Sequence, residues 1–151
     1  MSKNTPSCYT KDEWERIENQ FYKDFRMYNK HIRPFQTLIS EILKGETETS
    51  FVNKTQLSPN MFYRIRTQAN RKDPVKKSTL LSVAVGYNLD YQLTVALLES
   101  IGAKFILSTP RDYAYQFILI NCRGKNIDEC NEILKELGLE DNDLLGYHAR
   151  K

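Results

Sequence analysis

Residues 47–68 read TETSFVNKTQLSPNMFYRIRTQ, and two short helices meet within them. Thr47 suits a helix N-cap, which predicts a helix from Glu48 to about Thr55 with Phe51 and Val52 turned inward. Leu57 and Ser58 form a tight junction. Ser58 suits a second N-cap, and Pro59 takes the first helical position, where a missing N–H costs nothing. Phe62 and Ile65 point inward from this second helix. Phe51, Val52, Leu57, Phe62 and Ile65 then make one apolar knot, which holds the two helices roughly perpendicular and projects one face of the second outward. The outward positions are Pro59, Asn60, Tyr63, Arg64 and Thr67.

The flanking sequence is helical too. Residues 1–10 read as a flexible start. Lys11 to Asn29 is polar with apolar residues at Trp14, Ile17, Phe21, Phe25 and Tyr28, whose spacings of 3, 4, 4 and 3 trace a helical seam. Docking of this seam on the main core is favoured over pairing between chains, because the segment is shorter than three heptads. Phe35 to Lys44 is a second helix with Phe35, Leu38, Ile39 and Ile42 on one face, capped by Gly45. Residues 68–74 (QANRKDP) form a loop. Val75 to Tyr87 carries Leu80, Leu81, Val83, Ala84 and Val85, and is predicted to be the central helix. Asp90 to Ile101 follows, ended by Gly102. Thr109-Pro110-Arg111-Asp112 reads as a capping box opening a helix to about Cys122. Asn126 with Glu129 repeats that logic for a last helix, which stops at Gly138 and turns Ile127, Cys130, Ile133, Leu134 and Leu137 inward. Phe105-Ile106-Leu107 would suit a strand, but a single strand makes no sheet. Only six glycines and five prolines interrupt the chain. The fold class is all-α.

Composition narrows the function. A chain of 151 residues is long enough for one well-buried domain, or one domain with an added arm, but not for two large ones, and 40% hydrophobic with 27% charged residues is ordinary for a globular protein. The longest uncharged run, Ser78 to Leu89, is twelve residues, too short to span a membrane. The N-terminus has no apolar core region of a secretory signal. Three cysteines (Cys8, Cys122, Cys130) and two histidines (His31, His148) are too few and scattered for a zinc site. The odd cysteine count speaks against a disulfide framework, so a cytoplasmic location is expected. Cys122 and Cys130 read as buried small hydrophobes. No hydrolase, metalloprotease, P-loop or dinucleotide motif is present, so no enzyme, metal or cofactor is predicted.

The net charge of +3 hides two opposed patches. Residues 54–77 hold seven basic side chains against Asp73 alone, a net +6. Residues 126–143 hold seven acids against Lys135 alone, a net −6. The basic stretch surrounds the outward face of the second short helix, and the major groove of B-DNA admits an α-helix. Asn60 can pair bidentately with adenine and Arg64 with guanine, while Tyr63 and Thr67 can bond phosphates or touch a thymine methyl. These four are the candidate base readers. Lys54, Ser58, Arg66, Arg71, Lys72, Lys76 and Lys77 are the candidate phosphate contacts.

The stretch resembles the Cro/C1-type (XRE-family) helix-turn-helix. The likeness lies in Phe51-Val52, Leu57-Ser58 at the turn, Phe62-x-x-Ile65, Pro74 in the next loop and Thr79-Leu80-Leu81 opening the next helix. It continues through Asn88 to Gly102, the Ser-Thr-Pro-Arg-Asp helix and Asn126 to Leu134, and covers about residues 35–146. The resemblance implies a lambda-repressor-like core with added N- and C-terminal helices, binding double-stranded DNA, often as a homodimer on paired half-sites. It implies a transcription regulator.

Three positions depart from that pattern. Glu48 stands where the family often has a phosphate-binding glutamine, and would repel a phosphate. Gln56 stands where the turn usually has glycine or asparagine, so a left-handed backbone there costs about 1 kcal/mol. Pro59 offers a base only apolar contact. The expected organisation is an arm over 1–34, a helix-turn-helix core over 35–89 and a helical extension over 90–151 packed on the core. The alternative is a helical protein-interaction module that keeps the fold without binding DNA, with a partner meeting the acidic C-terminal helix.

Overall fold

The computed structural model describes residues 4–31, 34–67 and 75–146. Every regular element among them is helical, so the chain is all-α. It divides into two compact units, Met1–Arg33 and Pro34–Lys151.

The first unit is built on α1 (Lys11–His31). Thr10 and Glu13 form a reciprocal capping box at its start: the Glu13 amide donates to Thr10 Oγ1 at 3.2 Å, and the Thr10 amide to Glu13 Oε1 at 2.9 Å. Ile17, Phe21 and Phe25 line one face, and all three are exposed. The side chain of Tyr28, the last seam position, lies outside the described residues.

The second unit contains α2 (Phe35–Ile42), α3 (Glu48–Thr55), α4 (Pro59–Ile65), α5 (Lys77–Gly86), α6 (Tyr91–Ser100), α7 (Pro110–Asn121) and α8 (Ile127–Glu136). Helix α5 is its axis, as its composition predicts. Thr79 to Ala84 are all buried, which suits a helix apolar on every side. One face, with Leu80 and Val83, joins Leu38 and Ile39 of α2, Phe51 of α3, Leu57 of the turn that follows it, Phe62 and Ile65 of α4, and Leu97 and Leu98 of α6. The other, with Leu81 and Ala84, joins Tyr115, Ile118 and Leu119 of α7, Ile127, Cys130 and Leu134 of α8, and then Leu144 and Leu145. The C-terminal segment is tied down by polar groups. Gly146 N–H donates to Ser82 Oγ at 2.8 Å, and Asn131 brackets the Leu145 backbone with two hydrogen bonds.

Most helix starts lie where their caps predict. Thr47, Asp90 and Thr109 each accept an amide from the third residue onward, and Asn126 with Glu129 closes a full capping box. Three details differ from expectation. Ser58 makes no side-chain cap, so α4 starts on Pro59 alone. The Asp112 carboxylate does not reach back to Thr109, because the Ile106 amide, Lys77 and Arg111 take both its oxygens. Leu137 is 47% exposed. The chain reverses at Gly138, whose φ is +92°, and Leu139 N–H bonds Leu134 O, so Leu139 packs on the core instead. Phe105 to Leu107 is not a strand; Ile106 and Leu107 are exposed.

Candidate nucleic-acid interface

Helices α3 and α4 are joined by residues 56–58, and the junction is stitched from the inside. Phe51 and Phe62 pack with their rings tilted by 47° and centroids 5.2 Å apart, and Leu57 is buried in the same cluster. Buried Thr55 donates its hydroxyl to Phe51 O at 2.7 Å and accepts Leu57 N–H at 3.2 Å. Gln56 turns the chain with φ +56° and ψ +23°, and its amide donates to Val52 O. A side-chain-bearing residue pays about 1 kcal/mol for that left-handed conformation. The surrounding knot holds it there.

Phe62 and Ile65 are buried, so the opposite face of α4 is exposed at Pro59, Asn60, Tyr63 and Arg64, with Thr67 exposed just beyond the helix. Among the described residues, the Asn60 and Arg64 side chains have no hydrogen-bonding or ionic partner. Thr67 donates its hydroxyl to Arg64 O at 3.1 Å. Tyr63 is engaged differently. Its hydroxyl donates to Glu48 Oε2 at 2.5 Å, and that carboxylate pushes the Tyr63 pKa up. Two positions read separately from the sequence thus form one pair, and it puts a carboxylate beside the outward face.

The seven expected phosphate contacts separate into groups. Arg71 and Lys72 lie outside the described residues. Ser58 is half-buried and Lys76 is exposed. Arg66 lies over the Phe62 ring at 4.1 Å, and its Nε donates to Phe62 O, so its guanidinium is oriented by an aromatic face. Lys54 pairs with Glu46 Oε1 at 2.8 Å, while Ser50 also donates to Glu46. The hydrogen bond from Lys54, followed by that from Ser50, holds the Glu46 carboxyl below its usual pKa.

Lys77 is committed to the interior. Its side chain is 18% exposed and its ammonium lies 2.7 Å from Oδ2 of Asp112, whose side chain is fully buried. Asp112 also accepts the Ile106 amide at 2.7 Å and Arg111 Nε at 3.1 Å. Burial alone would push this carboxyl up. The hydrogen bonds from Lys77, Ile106 and Arg111 outweigh it, and the pKa lies below the usual value of 3.8. Lys77 is therefore a strut between α5 and the start of α7. No local signal marks it, because its partner is 35 residues away in a segment that reads as an ordinary cap.

Other chemistry is sparse. Among the described residues no group of three potential ligands could hold a metal ion, and no helix is long and apolar enough to cross a membrane. Cys8 is exposed and Cys130 is buried; burial pushes the Cys130 thiol up to about 11, away from thiolate reactivity. No protein-family model, curated protein or solved structure matches this chain.

Proposed function

We propose that the chain binds double-stranded DNA sequence-specifically and regulates transcription, with α4 as its major-groove reader. The observation that carries this reading is the division of α4. Its inner face is locked into the core by Phe62 and Ile65, while Asn60 and Arg64 stand exposed and uncommitted. A rigidly held helix with an amide and a guanidinium free on one face suits base-edge readout. Asn60 reads adenine and Arg64 reads guanine. Thr67 adds a methyl or phosphate contact. Tyr63 contributes its ring, since its hydroxyl is occupied by Glu48. Arg66, Lys76, Ser58, Arg71 and Lys72 carry the phosphate contacts; Lys54 is shared with Glu46, and Lys77 drops out.

Selection of bound duplexes from a random DNA pool tests this. A single enriched motif is expected, and Arg64→Ala relaxes the preference at one guanine, by about 1–3 kcal/mol of discrimination. Recovery of an unenriched pool contradicts it.

The Tyr63–Glu48 pair favours a second reading, a protein-interaction module. An acid fixed beside the outward face of α4 repels phosphate, and α8 presents Glu129, Glu132 and Glu136 around Ile133 and Leu137 as a site for a basic partner. Under that reading the chain purifies with a stoichiometric protein and without nucleic acid.

A further inference from the structure

Helices α3 and α4 share one core cluster with α2, α5 and α6, whereas Leu144 and Leu145 pack in the other, with α7 and α8. The next residue, Gly146, reaches the turn between α3 and α4. A Cβ at Gly146 would lie 3.0 Å from Gln56 Cβ and 3.3 Å from Gln56 O, so the segment rests directly on that turn. Gly146 has φ +79°, a conformation that suits glycine.

The seat is fastened away from the turn. Gly146 N–H donates to the buried Ser82 of α5, whose hydroxyl donates to Ser78 O at 2.8 Å. Asn131 of α8 donates to Leu145 O at 2.9 Å and accepts Leu145 N–H at 2.7 Å. Tyr115 of α7 donates to Asp143 O at 2.5 Å. Three helices other than α3 and α4 thus hold Gly146 against Gln56.

Gln56 needs such a wall. Its left-handed φ of +56° is disfavoured for a residue with a side chain, and this residue sets the direction in which the chain enters α4. The two residues before it rest on α5: a Cβ at Gly86 would lie 2.5 Å from Lys54 O and 3.0 Å from Thr55 Cγ2. We propose that Gly146 is a positioning residue for α4. Held by α5, α7 and α8, it fixes Gln56 in its turn and so sets the direction in which α4 presents Asn60 and Arg64. The consequence for DNA rests on the reading of α4 as the base reader; the coupling of segment to turn does not.

Residue-by-residue amide hydrogen exchange of the full chain without DNA tests the coupling. The reporters are Leu57 and Met61, whose N–H groups bond Thr55 Oγ1 and Ser58 O; the amides of α5 report global unfolding. Gly146→Ala adds a methyl group that meets Gln56, and is expected to lower protection of both reporters about tenfold more than that of α5. Gln56→Gly in the same chain removes the Cβ that is met and restores them. Asn131→Ala frees Leu145 without adding an atom and is expected to act in the same direction. Gly102→Ala is the control, because its φ of +74° imposes similar strain where a Cβ meets nothing within 4 Å, and it spares the reporters. The duplex enriched from the random pool is expected to bind Gly146→Ala about tenfold more weakly than wild type, with Gln56→Gly restoring the affinity. Reporters that fall no further than α5 in Gly146→Ala or Asn131→Ala, or that Gln56→Gly fails to restore, overturn the proposal. So does an enriched duplex bound equally by Gly146→Ala and wild type. If the pool yields no enriched duplex, the base-reading role of α4 falls, and the exchange result still decides the coupling.

Discussion

At the scale of single residues, the commitments of the charged side chains decide what the surface can do. Lys77 and Asp112 show this best. Both lie in stretches with a plausible local role, one in a basic run and one in a helix cap, and neither role is what the fold uses. The pair carries a testable stability consequence. Lys77→Ala leaves the buried Asp112 carboxylate short of its main partner, and is expected to cost about 3 kcal/mol in denaturant unfolding. The pH dependence follows from the lowered pKa of Asp112. The unfolded chain takes up this proton near 3.8, before the folded one does. The contribution is therefore complete above about pH 5 and is lost as pH falls below 3.8 toward the folded value. Asp112→Asn removes that share of the acid sensitivity; unchanged loss of stability between about pH 6 and pH 3 in the variant would show that other carboxylates carry it.

At the scale of elements, helix existence and order were legible, and the reason is local. Caps such as Thr47, Thr109 and Asn126 act within three residues of themselves, so the sequence carries them in the open. The apolar residues Leu80, Leu81, Val83, Ala84 and Val85 likewise marked α5 as the central helix. What could not be read was contact between elements. The close approach of α3 to α5 at Gly86 is such a case. A Cβ at Gly86 would lie 2.5 Å from Lys54 O, so the end of α3 rests directly on the α5 backbone. In an isolated helix, alanine is favoured over glycine by about 1 kcal/mol. Here Gly86→Ala is expected to destabilise, by about 1–3 kcal/mol, because backbone must move. Chemical denaturation gives the sign, and a stabilised variant would show that α3 does not seat on α5 this closely. The same limit applies to the candidate interface. Tyr63 and Glu48 were each legible as surface positions, but their hydrogen bond joins residues on two helices and reshapes the face that both border.

At the scale of the whole molecule, the basic stretch looks less basic once its pairs are drawn. Lys54 is neutralised by Glu46 and Lys77 by Asp112, leaving Arg64, Arg66 and Lys76, with Arg71 and Lys72 beside them in sequence. A duplex bound through the outer face of α4 thus meets about three to five cations, and log affinity should fall with log salt at a slope of about −2.7 to −4.5. This is shallower than seven free cations would give. Fluorescence-anisotropy titration of a labelled duplex, repeated from low to physiological salt, measures that slope directly. Binding at low salt with the slope above is expected, made shallower in Arg66→Ala. Absence of binding at low salt, or an affinity indifferent to salt, would contradict it.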